Sequence, residues 1–281
     1  MTVTSLLPVE RSRAQRHRRY LMCRPSHFAV RYSINPWMDV QAPVDARRAV
    51  RQWEDLVLLY DSLGHEVELI EPEPGLPDMV FAANAGTVID GTVLCARFRH
   101  AERLGEQAAY RRWFEAAGFE VVAPSAVNEG EGDFALVGEH LLGGWGFRSE
   151  ARSHAEAART FGRPVTSLQL VDPRWYHLDT ALAVLDDDNI AYFPGAFSHE
   201  SARLLRATFP DAIVASAADA AVLGLNAASD GQRVVLPAQA EALADQLAAA
   251  GYEPHPVDVS ELLKAGGSVK CCTLELRGAT P

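Results

Sequence analysis

Two stretches of this sequence bring together a nucleophile and a base of types that could react as a pair. The first is Gly266-Gly267-Ser268-Val269-Lys270-Cys271-Cys272, followed by Thr273-Leu274-Glu275-Leu276. Two glycines give the backbone angles closed to other residues and let it come close to a ligand. Cys271 stands where loop turns into a strand read over Cys271 to Leu276, and Lys270 beside it would favour thiolate, the reactive form of cysteine. The second stretch is Tyr176-His177-Leu178-Asp179-Thr180. Read as entering a strand, its period of two puts His177 and Asp179 on one face. Histidine is the usual proton shuttle near neutral pH, so Cys271 with His177 fits a cysteine nucleophile paired with a base. The plainer alternatives are a small apolar cysteine in a strand and a structural histidine.

Three further polar patches fall in loops, where function usually sits. In Asn128-Glu129-Gly130-Glu131-Gly132-Asp133 three acids are interleaved with glycines, and clustered carboxylates call for a cation or a shared proton. In Pro77 to Gly86, Asp78 and Asn84 bracket an apolar run holding Phe81, which would make an aromatic wall with a carboxylate and an amide at its ends. Turn capping explains the same Asp and Asn equally well. Gly143-Gly144-Trp145-Gly146-Phe147-Arg148-Ser149 delivers an arginine to a helix start, a placement suited to a carboxylate. No G-x-G-x-x-G follows a strand, no calcium loop is present, and the cysteines and histidines lack zinc spacings, so no metal is expected.

The elements that must position these residues repeat. Turn signals at Asp90-Gly91, Gly138-Glu139, the acidic run Asp186-Asp187-Asp188-Asn189, and Asp230-Gly231 each separate two apolar runs. Each pair of runs is followed by a helical period and another strand: helices near 102–117, 149–161, 199–209 and 237–250, strands near 119–122, 165–170, 212–215 and 253–257. The last unit takes Val222 to Leu225 as its first strand. Hairpin, helix, strand thus occurs four times. A strand at Tyr20 to Arg24, a helix at Val44 to Leu63, a strand at Glu66 to Ile70 and the late strand at Cys271 to Leu276 supply a fifth set. Such a repeat predicts a closed or stacked array of modules rather than an open α/β sheet.

With 281 residues and a net charge of −11, the chain lacks the basic excess of a nucleic-acid-binding protein, and a cationic small substrate is compatible with it. Four cysteines, two of them adjacent, do not build a disulfide scaffold and favour a reducing cytoplasm. No membrane span is present, and an apolar patch preceding the basic cluster Arg11 to Arg19 reverses the order of a secretory signal. That cluster reads as a solvated tail over residues 1–18, with a nucleic-acid patch as the alternative.

Taken together, the Gly-Gly then Cys, His-Leu-Asp-Thr, acidic-glycine and Asp-x-x-Phe segments occur in an order that resembles the guanidine-modifying (amidinotransferase, or pentein) superfamily, which includes dimethylargininase, arginine deiminase, arginine dihydrolase and glycine amidinotransferase. The resemblance covers nearly the whole chain after the basic tail. It implies a five-module, pseudo-fivefold α/β propeller over residues 19–281 as one catalytic domain, closed by the first and last strands. It implies Cys271 as nucleophile, His177 as general acid and base, and Glu131 as the acid of the family's acidic-glycine segment, with Glu129 or Asp133 as alternatives. It further implies Asp179 as a guanidinium-binding carboxylate, Arg103 and Arg148 as holders of the substrate carboxylate, and Asp78 and Phe81 as pocket wall. Asn84 departs from the aspartate usual in dimethylargininases and deiminases; with Asn35 in Ser-Ile-Asn-Pro-Trp-Met it is similar to the arginine dihydrolase branch. The implied activity is cysteine hydrolysis of the guanidino group of arginine or a methylated arginine, giving citrulline and an amine, with no cofactor. The alternatives are dihydrolysis to ornithine, amidinotransfer, and non-catalytic arginine binding. The implied partner is an arginine-like small molecule, with neither nucleic acid nor membrane, and a homo-oligomer is compatible.

Overall fold

The computed structural model describes residues 13–278. The first described strand, β1 (Arg19–Cys23), leads through a long loop to helix α1 (Ala46–Ser62) and strand β2 (Glu66–Ile70). Helix α1 forms because Ala49, Trp53, Leu56 and Tyr60 recur at helical spacing and are buried on one face. Asp45 caps it by accepting from the Arg48 amide at 2.9 Å, and Gly64 at φ 79° ends it.

Four units follow with one plan. The second holds β3 (Gly86–Ile89), β4 (Thr92–Cys95), α2 (Glu106–Ala116) and β5 (Glu120–Val122). The third holds β6 (Phe134–Val137), β7 (His140–Trp145), α3 (Arg152–Phe161) and β8 (Val165–Gln169). The fourth holds β9 (Leu182–Val184), β10 (Ile190–Tyr192), α4 (His199–Thr208) and β11 (Ile213–Val214). The fifth opens with the short helix α5 (Ala217–Ala220), then β12 (Ala228–Ser229), β13 (Arg233–Pro237), α6 (Glu241–Ala249) and β14 (Glu253–Val257). A single turn, α7 (Ser260–Leu263), precedes the last strand β15 (Leu274–Glu275).

Each unit is a three-stranded sheet in which the central strand pairs antiparallel with one neighbour and parallel with the other. In the second unit the hairpin turns at Asp90 and Gly91 with φ of 50° and 80°, the paired positive angles of a type I′ turn, as the Asp-Gly signal predicts. The sheet of the first unit combines distant parts of the chain: β1 pairs antiparallel with β15, Leu21 opposite Leu274, and parallel with β2. The repeat read from the sequence is therefore present as five small sheets, each with its helix, and each of the five apolar clusters is shared between two neighbouring units.

Four expectations change. Val222 to Leu225 is a turn, with Leu223 at φ 53°, and the strand lies later at Ala228–Ser229. The Cys271 to Leu276 strand shrinks to Leu274–Glu275, which leaves Cys271 in a turn. Helix α6 begins at Glu241, and Pro237 ends a strand instead of opening the helix. Leu178–Thr180 is a 3-10 turn, so strand alternation is not what places His177 and Asp179. In three of the four, apolar residues are buried by loops packing inside the molecule, which a period-two pattern does not distinguish from a strand; at Pro237 a residue suited to a helix start closes a strand instead.

Of the basic tail expected over residues 1–18, residues 1–12 lie outside the described residues. Arg13 and Arg16 pair with Asp186 and Asp187 of the β9–β10 turn, and Arg18 with Glu275. No helix among the described residues is long and apolar enough to cross a membrane.

Candidate active site

The candidate nucleophile is positioned by glycines that no other residue could replace. Gly266 sits at φ 84°, and a Cβ there would meet the Asn35 carboxamide at 2.8 Å. A Cβ on Gly267 would lie 2.2 Å from the Phe81 ring. The chain therefore threads between Asn35 and Phe81 and turns Cys271 into a tightly closed pocket with a free volume of about 10 Å³. Ile34, Asn35, Met38, Asp78, Phe81, Asn84, Arg103, Arg148, Tyr176, Ala265 and Cys271 line it.

Around the sulfur, the Cys271 thiol donates to Asp179 Oδ2 at 3.2 Å and receives the Asn226 amide at 3.1 Å. Burial, then the Asp179 charge, hold this thiol well above the ordinary cysteine range and so favour its neutral form. Burial likewise lifts Asp179 to about 7. Lys270 does not serve the sulfur as the sequence suggests: its ammonium bonds Glu131 and, at 2.8 Å, the Thr273 carbonyl.

The base lies on a separate ion-paired branch. His177 Nε2 meets Glu129 Oε2 at 2.8 Å, and Arg148 meets the same oxygen at 2.8 Å. Burial would raise Glu129, but Arg148 and the His177 hydrogen bond outweigh it and hold the carboxyl well below its usual range. An ionised Glu129 accepts the Nε2 proton and leaves Nδ1 facing away, without a partner. Asp133 is a brace: it accepts from the Leu178 and Ser149 amides and from the Ser149 hydroxyl. Burial raises it to about 6.

Glu131, expected beside His177, is placed elsewhere. Its oxygens bond Lys270, Arg277 and the Glu275 amide. Of the three acids in Glu-Gly-Glu-Gly-Asp, it is Glu129 that contacts His177. The glycines between them allow this: a Cβ on Gly132 would sit 2.3 Å from Asn84 Nδ2 and 3.2 Å from His177 Nδ1.

The remaining expected residues gather at the pocket. Asp78 accepts from the Tyr32 hydroxyl at 2.9 Å and keeps Oδ1 unpartnered. Arg103 grips Glu106 with two bonds of 2.8 Å and donates to Asn84 Oδ1 at 2.7 Å. Since arginine only donates, the Asn84 atom facing it is the oxygen, and Nδ2 is left as an unpartnered donor. Arg148 also donates to the Ile34 carbonyl at 3.0 Å and stacks on Tyr176 at 4.6 Å. Asn35 donates to the Ala265 carbonyl at 3.0 Å, which ties the loop after β1 over the nucleophile turn. Asn226 and Tyr176 were not singled out from the sequence; a lone amide after an apolar run and an aromatic next to His177 carry no spacing signal.

No family model matches the sequence. The chain is 59% identical over 264 residues to the N(G),N(G)-dimethylarginine dimethylaminohydrolase of Mycobacterium tuberculosis, covering 94% of this chain and 87% of that one. This chain belongs to the guanidine-modifying superfamily, in its dimethylargininase and arginine dihydrolase branch. Within that branch it is also 39% identical over 267 residues to the bifunctional arginine dihydrolase/ornithine cyclodeaminase AgrE of a Nostoc species, covering 92% of this chain but only 38% of that longer protein. A solved structure of a variant of the N-terminal domain of ArgZ, covalently bonded to a reaction intermediate, superposes with a TM-score of 0.90 at 36% identity, covering 94% of this chain and all of that one. The five sheets of this guanidine-modifying chain are thus those of a known pentein fold.

Proposed function

We propose that this protein is a cysteine hydrolase that cleaves the guanidino group of arginine or a methylated arginine through a covalent thiouronium intermediate, with residues 19–281 as one catalytic domain closed into a five-module propeller. The pairing of β1 with β15 supports the closure. The reading rests on one arrangement: a buried thiol, Cys271, beside a pocket whose wall carries Asp78 Oδ1 unpartnered, with Asp179 Oδ1 also unpartnered next to the sulfur. Two carboxylate oxygens without donors suit a planar cation that brings several N–H groups.

In the mechanism, the guanidinium cation favours the thiolate that burial and Asp179 disfavour. The thiol proton passes to Asp179 Oδ2, already its hydrogen-bond acceptor, and Cys271 Sγ bonds to the guanidino carbon. His177 Nδ1 gives its proton to the departing amine, whose C–N bond breaks, and then takes a proton from the water that attacks the thiouronium carbon; the C–S bond then breaks, the ureido product leaves, and Cys271 Sγ takes its proton back from Asp179. Glu129, held ionised by Arg148, orients the imidazole through Nε2 and takes the place expected of Glu131. Asp78, Asp179 and Asn84 surround the guanidino group, Phe81 walls the pocket, and Arg103 and Arg148 carry the positive charge for the substrate carboxylate. Asn35 closes the loop over the site. Mass spectrometry of enzyme quenched during turnover should show an adduct on Cys271, and Cys271→Ser should lose turnover by at least about 10³-fold. Full activity in Cys271→Ser would refute the reading.

Dihydrolysis is favoured as a second reading by one atom, Asn84 Nδ2. A guanidinium only donates, so a donor facing it gains nothing, whereas the oxygen of a ureido group can accept from Nδ2. We therefore propose that citrulline is held and carried on to ornithine. Incubation with dimethylarginine, arginine and citrulline in parallel should yield ornithine from the latter two, and Asn84→Asp should move the products toward citrulline. Efficient dimethylamine release with arginine and citrulline untouched would leave the dimethylargininase reading alone standing.

A further inference from the structure

The loop that carries the nucleophile is held by a residue from another part of the chain. Asn226 lies in the turn between α5 and β12 and is fully buried. Its Oδ1 accepts from the backbone amides of Ser268 at 3.2 Å and Cys271 at 3.0 Å. Its backbone carbonyl accepts from the Lys270 amide at 3.1 Å. Because two backbone N–H groups fix which end is oxygen, Nδ2 must face the other way, and there it donates to Cys271 Sγ and to the Asp179 carbonyl, each at 3.1 Å. One carboxamide thus touches the nucleophilic atom, the backbone at Ser268 and at Cys271 itself, and the backbone of the acid beside it.

The charges acting on the sulfur make this donor matter. Asp179 is adverse, Cys272 and Tyr176 are adverse when ionised, and the Lys270 ammonium is engaged with Glu131 and the Thr273 carbonyl. No cationic side chain bonds Cys271 Sγ among the described residues, and Asn226 Nδ2 is the donor that reaches it. We propose that Asn226 is a catalytic residue of this site: its amide aims Cys271 Sγ and donates the hydrogen bond that stabilises the thiolate as it forms. This rests on Cys271 being the nucleophile.

Asn226→Asp separates aiming from charge stabilisation. The aspartate keeps an oxygen for the two backbone amides, but it turns a donor toward sulfur into an acceptor. Alkylation of Cys271 by iodoacetamide, a neutral reagent, is followed across a pH series without substrate, with peptide mapping to separate Cys271 from Cys23, Cys95 and Cys272. The expected result is an alkylation profile displaced upward by about one pH unit or more, with kcat lower by about 10²-fold and KM within about threefold, the scale of losing one preorganised donor. A wild-type alkylation profile, or a kcat within about threefold of wild type, overturns the proposal. If thermal melting shows Asn226→Asp unfolded, Asn226→Ser, whose hydroxyl is too short to reach both the backbone amides and the sulfur, is judged on the same two measurements. If the wild type cleaves no guanidino compound while the alkylation shift is present, the functional reading fails and the assignment of Asn226 stands.

Discussion

Glu129 and Glu131 stand two residues apart, both are buried, and each is held by two positively charged or protonated partners. Glu129 bonds His177 and Arg148, which lines the pocket, whereas Glu131 bonds Lys270 and Arg277. In both, burial opposes ionisation and the cationic partners overcome it, so the carboxyl lies below its usual range. A displaced titration alone therefore does not identify the functional acid. The difference is in the partners: Glu129 binds a group that can lose its proton, and that group keeps a free atom. Glu131 binds two groups that stay charged and leaves nothing unpaired.

The strongest way to break this contrast is Glu129→Gln. The amide cannot hold an imidazolium as a carboxylate does, and kcat should fall by about 10²–10⁴-fold with the protein still folded, as steady-state rates and circular dichroism would show. An unchanged kcat would erase the distinction between the two acids. Gly132→Ala comes next: its Cβ would push Asn84 and His177 apart, and a displacement on the order of 1 Å should lower kcat by about 10²-fold. Glu131→Gln should act on stability instead. Breaking this pair should cost about 3 kcal/mol by urea unfolding, the low end for buried pairs because Lys270 and Arg277 remain partly open to water, while kcat stays within about threefold. A large loss of kcat with stability intact would reverse the assignment of the two acids.

The smallest effect is the pH dependence. Since the folded value of Glu131 is depressed, its contribution to stability is fully present above the ordinary 4.5 and is lost as pH falls through the lower folded value. Acid unfolding of Glu131→Gln should therefore be shallower than wild type below about pH 4.5, when melting temperatures are followed as pH is lowered.

The modules were legible because their signals are local. Asp90-Gly91 dictates its turn, and Ala49, Trp53, Leu56 and Tyr60 dictate the buried face of α1. Cys271, His177, Asp78, Asn84 and Arg148 could be picked out as reactive or charged types beside glycines and loops. The division of labour between Glu129 and Glu131 could not, because it depends on how Gly130 and Gly132 let the segment pass between Gly86, Asn84 and His177. A Cβ on Gly130 would fall 2.5 Å from the Gly86 amide nitrogen, a contact that no sequence spacing reveals. Asn226 was hidden for a related reason: the turn before it holds Leu223 at positive φ, where apolar neighbours read as a strand. Lys270 misled because adjacency in sequence says little about direction once the backbone turns at each residue.

The pairing of β1 with β15 also bears on the order in which this chain can become reactive. Four of the five sheets draw their strands from nearby sequence and can form as soon as their own unit is present. The remaining sheet must join Leu21 to Leu274, and the entropy of closing so long a loop is met only by contacts made after closure. Cys271 lies three residues before that last strand, so its burial is tied to the slowest and most non-local pairing in the molecule. The hydrogen bonds that hold the sulfur come from Asn226 and Asp179 in the second half of the chain, whereas the wall of Asn35, Asp78 and Phe81 that covers it comes from the first part. The site is therefore complete only when the two ends of the fold have met.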